Sequence, residues 1–223
     1  INDILDFSKI EAGHLKLDDK DFNLSELVDE IMDLAAFKAR DKALPVVAVV
    51  APDVDVWLRG DMARLRQVIG NLLDNALKFT RQGGVVLRIE QMHSRADGAD
   101  LRFTVEDTGI GIPVESQSAL FEEFQQVDSS DSTRFGGTGL GLSISKGLVG
   151  LMGGSVGMDS VPGRGSRFWV EIPLKMPSAI HEQPPAPRFS LNSGVAVGFD
   201  PLIADALVRM FGTAGCSIGT ADS

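Results

Sequence analysis

Residues 61–79, DMARLRQVIGNLLDNALKF, constrain this chain more than any other stretch. Met62, Leu65, Val68, Ile69, Leu72, Leu73, Ala76 and Leu77 recur at helical spacing and form an apolar stripe too wide to face water, so the helix must be buried along it. Asp61 stands where its carboxylate can cap the first turn. Asn71 and Asn75, four apart, and Lys78, three further on, share one edge beside the stripe. An Asn75 amide oxygen suits the octahedral shell of a magnesium ion that also binds phosphate, and Lys78 could neutralise phosphate charge beside it. The same residues also suit the exposed polar edge of a helix.

Around this helix the pattern alternates between helical and strand periods. INDILDFSKIEAGHLKL reads as an amphipathic helix broken at Gly13 and lacking its partner; it begins in mid-pattern without an initiator methionine, as an excised piece would. NLSELVDEIMDLAAFKARDKAL reads as a second, capped by Asn23 or Ser25 and ending before Pro45. VVAVV and VDVWL suggest strands, while GGVVLRIEQ and LRFTVEDTG suggest a hairpin around a polar loop that holds His93. LGLSISKGLVGLMGG reads as a helix and GSVGMDSVPGRGSRFWVEIP as a second hairpin. PSAIHEQPPAPR marks a proline-rich linker over 177–193, and GVAVGF with PLIADALVRMFGTAGC suggests a strand and helix opening another domain over 194–223.

A chain of 223 residues, 43% of them hydrophobic, has material for one sizeable core. Its formal charge of -10, without a concentrated basic patch, argues against nucleic acid or anionic membrane as a partner. The single cysteine, Cys216, excludes an internal disulfide and suits a reducing compartment, and no apolar run is long enough to span a bilayer, so a cytoplasmic location is expected.

Three further stretches suggest ligand chemistry. EDTGIGIP, Glu106 to Pro113, places acids at a strand end before a Gly-x-Gly turn; a buried Asp107 could accept from the exocyclic amine of adenine, though Asp-Thr-Gly is also ordinary turn chemistry. FGGTGLGLSISK runs Gly136, Gly137, Gly139 and Gly141 straight into a helix, aiming free amides and the helix dipole at one place for anions. It lacks both the dinucleotide-binding glycine spacing and the Gly-Lys-Ser/Thr ending of a P-loop. Arg134 just before it could contact phosphate or stay solvated. PGRGSRF, with Gly163 and Gly165, reads as a tight hairpin turn.

Taken in order and spacing, these stretches resemble the catalytic, ATP-binding region of hybrid sensor histidine kinases over residues 1 to about 175. NLLDNALKFT resembles the family's N box, DTGIGIP its G1 box, FEEF its F box, GGTGLGL its G2 box and GRGSRF its later glycine box; INDILDFSKIEAG is similar to the second helix of the dimerisation and phosphoacceptor hairpin, which assigns 1–20 to that hairpin and 21–176 to the catalytic domain. The resemblance implies an α/β fold, a two-layer sandwich of mixed sheet and helices, with ATP and Mg2+ as cofactors. It implies that Asn75 binds the metal, Asn71 supports the phosphates, Lys78 contacts them and Asp107 reads adenine. Gly109, Gly111, Gly137, Gly139 and Gly141 would allow close backbone approach, Thr138 and Leu140 would belong to the same nucleotide-binding stretch, and Ser166 could add a hydroxyl near the base. Phe121 and Phe124 would anchor a mobile lid over 125–138.

Related gyrase, chaperone and mismatch-repair ATPases place a glutamate four residues before the magnesium asparagine, as general base for water. Asn71 occupies that position here. An amide cannot take a proton from water, so transfer to an external nucleophile is expected over hydrolysis. The resemblance puts the acceptor histidine upstream of Ile1 and not at His14, His93 or His181. Expected partners are that histidine helix, on the same or a sister protomer of a homodimer, and a response regulator or receiver domain; the piece alone should be mainly monomeric and unable to phosphorylate itself. The tail resembles the opening of a receiver domain, with Gly198 and Phe199 where an acidic pair belongs and Asp200 one place later, so it receives no site. GVAVGF is expected to be disordered or docked elsewhere.

Overall fold

The computed structural model describes residues 2–122, 139–181, 193–197, 199–213 and 217–221. Helix α1 (Asn2–Glu11) leads into a short strand β1 (Lys20–Asn23) and helix α2 (Leu24–Ala39). Asn23, not Ser25, caps α2: its side chain accepts from the amides of Ser25 at 2.8 Å and Glu26 at 3.4 Å. Strands β2 (Val46–Val50) and β3 (Trp57–Gly60) precede helix α3 (Met62–Phe79), where Asp61 accepts from the Arg64 amide at 3.0 Å. Strands β4 (Val85–Arg95) and β5 (Gly98–Asp107), helices α4 (Val114–Gln117) and α5 (Gly141–Leu151), and strands β6 (Ser155–Val161) and β7 (Gly165–Lys175) follow. The tail holds strand β8 (Ser193–Val197), helix α6 (Pro201–Thr213) and strand β9 (Ser217–Ala221).

The main sheet runs β1-β3-β7-β5-β4-β2, with β6 also paired to β7; β2 is parallel to β4 and every other pairing is antiparallel. The period of two along β4 divides its side chains between faces. Val85, Leu87 and Ile89 join the core beneath α2, α3 and α5, while Val86 faces the other way and packs with α6. The α3 stripe is buried as its width requires: Leu65, Val68, Ile69 and Leu73 are each at most 1% exposed.

Two local readings change, and two segments prove to be fastened. The first hairpin has no long polar loop, because β4 and β5 continue to Arg95 and Gly98, so His93 stands on a strand. Cross-strand charges hold that polar end: Arg95 Nη1 lies 3.0 Å from Asp100. The VDVWL strand begins only at Trp57, after a turn in which the Val54 amide donates to the Ala51 carbonyl at 3.1 Å. Helix α1 packs on α3 and the main core: Asp6 accepts from Arg64 at 3.0 Å and Gln67 at 2.9 Å, and Phe7 and Ile10 pack against the core. The linker's opening is fastened as well. Ser178 (amide and hydroxyl) and the Ala179 amide donate to Asp21, while His181 Nε2 lies 3.1 Å from that carboxylate and its ring stacks on Trp57, centroids 3.9 Å apart. These donors, the Ser178 amide foremost, hold the Asp21 carboxyl well below the usual carboxylate range.

In the tail, β8 and β9 form a parallel pair and α6 packs on the outer face of β2 and β4, so the segment docks. Asp200 caps α6 by accepting from the Leu202 amide at 2.9 Å; Gly198 lies outside the described residues.

Candidate functional site

Asp107 ends β5 at 7% exposure. The Gly109 amide donates to its Oδ1 at 2.7 Å, the Ser166 amide also donates to it, and the Thr80 side chain bonds it from the end of α3. Burial dominates over these donors and, with the neighbouring Glu106 charge, pushes the Asp107 carboxyl up to about 6. The loop after it is stitched to the β6–β7 hairpin. Ile112 donates to Ser160 Oγ at 2.8 Å, Gly163 donates to the Ile110 carbonyl at 2.7 Å, and Gln117 Nε2 donates to the carbonyls of Ile112 and Ser160. Gly111 turns at φ +66°, where a Cβ would lie 2.1 Å from the Val161 carbonyl oxygen. Gly109 is equally close-set, with Phe79 O 2.6 Å from where its Cβ would stand. The Ser166 hydroxyl lies 3.0 Å from Ser160 Oγ, so Ser166 meets Asp107 through its amide and Ser160 through its hydroxyl.

The α3 edge faces the start of α5. Asn71 Nδ2 donates to the buried Ser145 Oγ at 3.0 Å, and a Cβ on Gly141 would stand 2.4 Å from Asn71 Oδ1. Only glycine lets the two helices meet there. Among the described residues no side chain caps helix α5 at Leu140, which is itself buried. Asn75, one turn beyond Asn71, is half-buried, and Lys78 Nζ sits 4.9 Å above the Phe79 ring. Gly139 adopts φ +70° just before this helix. Phe121 packs edge-on against Phe168, ring centroids 6.3 Å apart.

The fold thus brings Asn71, Gly141 and Ser145 to one end, Asp107, Gly109 and Ser166 to the other, and hangs both on α3, whose last turn leads to Thr80. Phe124, Arg134, Gly137 and Thr138, with the lid over 125–138, lie outside the described residues. Sequence reasoning missed Thr80 and Ser145. Thr80 follows the helix as its C-cap, with its hydroxyl on the Ala76 carbonyl at 2.7 Å, and Ser145 lies four residues after Gly141, on the same helix face.

Chemically, the Asp107 end offers a desolvated carboxylate acceptor flanked by backbone, and the Asn71 end brings a side-chain amide to the start of a helix. The family model for histidine kinase-, DNA gyrase B- and HSP90-like ATPases matches residues 60–176, the span that holds both ends. The sensor protein GacS of Pseudomonas syringae pv. syringae is 49% identical over 179 residues, covering 80% of this chain and 20% of that protein. The signal transduction histidine-protein kinase BarA of Escherichia coli K12 is 44% identical over 185 residues, covering 82% and 20%. The chain spans about a fifth of the length of these curated relatives. Among solved structures, full-length ShkA in complex with AMPPNP superposes with a TM-score of 0.81 at 31% identity, over 99% of this chain and 44% of that one. The nucleotide-free catalytic domain of the histidine kinase ThkA gives 0.58 at 28% identity, over 70% and 95%. The chain therefore belongs to the histidine kinase-, DNA gyrase B- and HSP90-like ATPase family, and within it carries an ATP-binding domain of the hybrid sensor histidine kinase kind.

Proposed function

We propose that this chain binds magnesium-ATP between α3 and α5 and directs the γ-phosphate to a histidine on a separate helix. The observation that carries the reading is Asn71. The position that would hold a general base is an amide tied to Ser145, so the site contains no group there to deprotonate water, while its positioning elements are intact. Asp107, ionised at neutral pH, accepts from the adenine amine and disfavours a base that presents a carbonyl there. Asn71, Lys78 and the first amides of α5 orient the phosphates.

Among the described residues no group of three or more His, Cys, Asp or Glu side chains could hold a metal ion. A magnesium ion here would be carried mainly by phosphate oxygens and waters, with the Asn75 amide oxygen as its protein ligand. When bound, the ion would spread phosphate charge.

Neither His93, exposed on a strand, nor His181, held between Trp57 and Asp21, is assigned as the acceptor. The acceptor would lie on a dimerisation hairpin of a homodimer, and a receiver domain would take the phosphate onward. The assigned compartment is the cytoplasm; among the described residues no helix is long and apolar enough to cross a membrane.

Calorimetric titration with magnesium-ATP tests the reading. Saturable heat that requires magnesium and leaves no continuing power supports a kinase domain awaiting its histidine. Sustained power after each injection means turnover on water, which rejects the role given to Asn71 and favours an ATP-hydrolysing domain.

A further inference from the structure

The outer face of β2 and β4 carries an apolar patch separate from the main core. Val49 and Val86 pack there against Ile203 and Ala206 of α6, both of which have no exposed surface. The fit relies on a missing side chain, since a Cβ on Gly84 would lie 2.4 Å from Ile203 Cδ1. Polar contacts extend it: Arg88 Nη2 donates to Asp205 at 2.8 Å, and Asp200 Oδ2 comes within 3.3 Å of the place a Gly83 Cβ would take.

Two short routes lead from this contact to Asp107. Along the first, a Cβ on Gly83 would stand 2.0 Å from Thr108 Oγ1, which accepts from the Gly84 amide at 3.0 Å and donates to the Gln82 carbonyl at 3.1 Å. The Asp200 carboxylate and the Thr108 hydroxyl therefore close on the same glycine, and Thr108 is the residue after Asp107. Along the second, Arg88 lies between Asp205 and Glu106, its Nε 3.7 Å from the latter, and Glu106 is the residue before Asp107.

We propose that the outer face of β2 and β4 is a docking surface for α6, and that its occupancy holds the base end of the nucleotide site in shape from the opposite side of the sheet. The βαβ unit at 193–221 then sets nucleotide affinity without touching nucleotide. The affinity half of this inference rests on the assignment of Asp107 to the base. Because the patch is distinct from the main core, releasing α6 removes its own contacts and leaves the helical layer folded.

The test uses the chain with Ile203→Asp and, separately, Ala206→Glu, followed by amide hydrogen exchange and by calorimetric titration with magnesium-ATP. The expected result is lost protection in α6, retained protection in α3, faster exchange at 82–86 and 105–109, and affinity weakened about fivefold or more. Released α6 with affinity and exchange at 105–109 unchanged would overturn the proposal, as would an α6 that stays protected in both variants, or loss of α3 protection along with it. If the unsubstituted chain binds no magnesium-ATP, the functional reading fails by itself. Exchange at 105–109 then decides this inference alone: faster on release supports it, and unchanged refutes it.

Discussion

Asp107→Asn separates stability from function at one atom. The unfolded chain ionises this carboxyl near 4, whereas burial pushes it up to about 6 in the folded protein. A raised carboxyl favours folding while protonated, so its contribution is complete below pH 4, declines as pH rises and is gone above about 6. The difference corresponds to about 3 kcal/mol at about 1.36 kcal/mol per pH unit. Asparagine removes the buried charge but turns an amide NH2 towards one of the two backbone donors from Gly109 and Ser166, returning about 1 kcal/mol. The variant should therefore be more stable than the parent at pH 7.5 by about 2 kcal/mol, which is about 4–8 °C in Tm for a domain of this size. At pH 4.5 the advantage should fall below about 1 kcal/mol, since the parent is then largely neutral when folded. Magnesium-ATP affinity should collapse in the variant, and in the parent it should weaken as pH falls below about 6, the opposite pH trend from stability. Thermal melts at the two pH values, with a nucleotide titration at each, check both halves. A variant less stable at pH 7.5, or an equal gain at both pH values, would refute the burial argument.

Gly141→Ala places a methyl 2.4 Å from Asn71 Oδ1 and should part Asn71 from Ser145, weakening magnesium-ATP binding about tenfold; titration calorimetry reads it. Gly165→Ala should destabilise by about 2–4 kcal/mol, because φ is +99° and the new carbon would stand 1.9 Å from the Asp107 carbonyl oxygen, a loss visible in chemical denaturation. Asp21→Ala should free the amides of Ser178 and Ala179 to exchange and change Trp57 fluorescence as His181 leaves the ring, with nucleotide affinity unaltered.

The long periodic elements were legible because one physical signal decided each. The α3 stripe, the Asn23 or Asp61 caps and the two hairpins need no distant partner to be read. Strand β1 escaped notice because Phe22 is its one fully buried residue, and its identity rests on pairing with β3. The outer half of the first hairpin carries polar residues such as His93, Ser94 and Arg95, so its strand character rests on ladder pairing with 98–100 and on cross-strand charge, not on an apolar pattern. At the site, the asparagines and Asp107 could be singled out from spacing and neighbours. Ser145 could not, since its use depends on where α5 crosses α3, and Thr80 lay within a quoted motif as a helix terminator whose tertiary partner the sequence does not name. The tail's strand and helix were readable; their landing on Val86 was not, because β4 opens on three successive apolar residues, Val85, Val86 and Leu87, and period alone cannot say what covers its second face.

The Asp21 clasp ties residue 178 to the first strand of the main sheet, so the two ends of the seven-stranded unit lie side by side. A module with adjoining ends behaves as a cassette: it can be spliced into a host chain, or have its ends fused and reopened elsewhere, without rerouting the backbone.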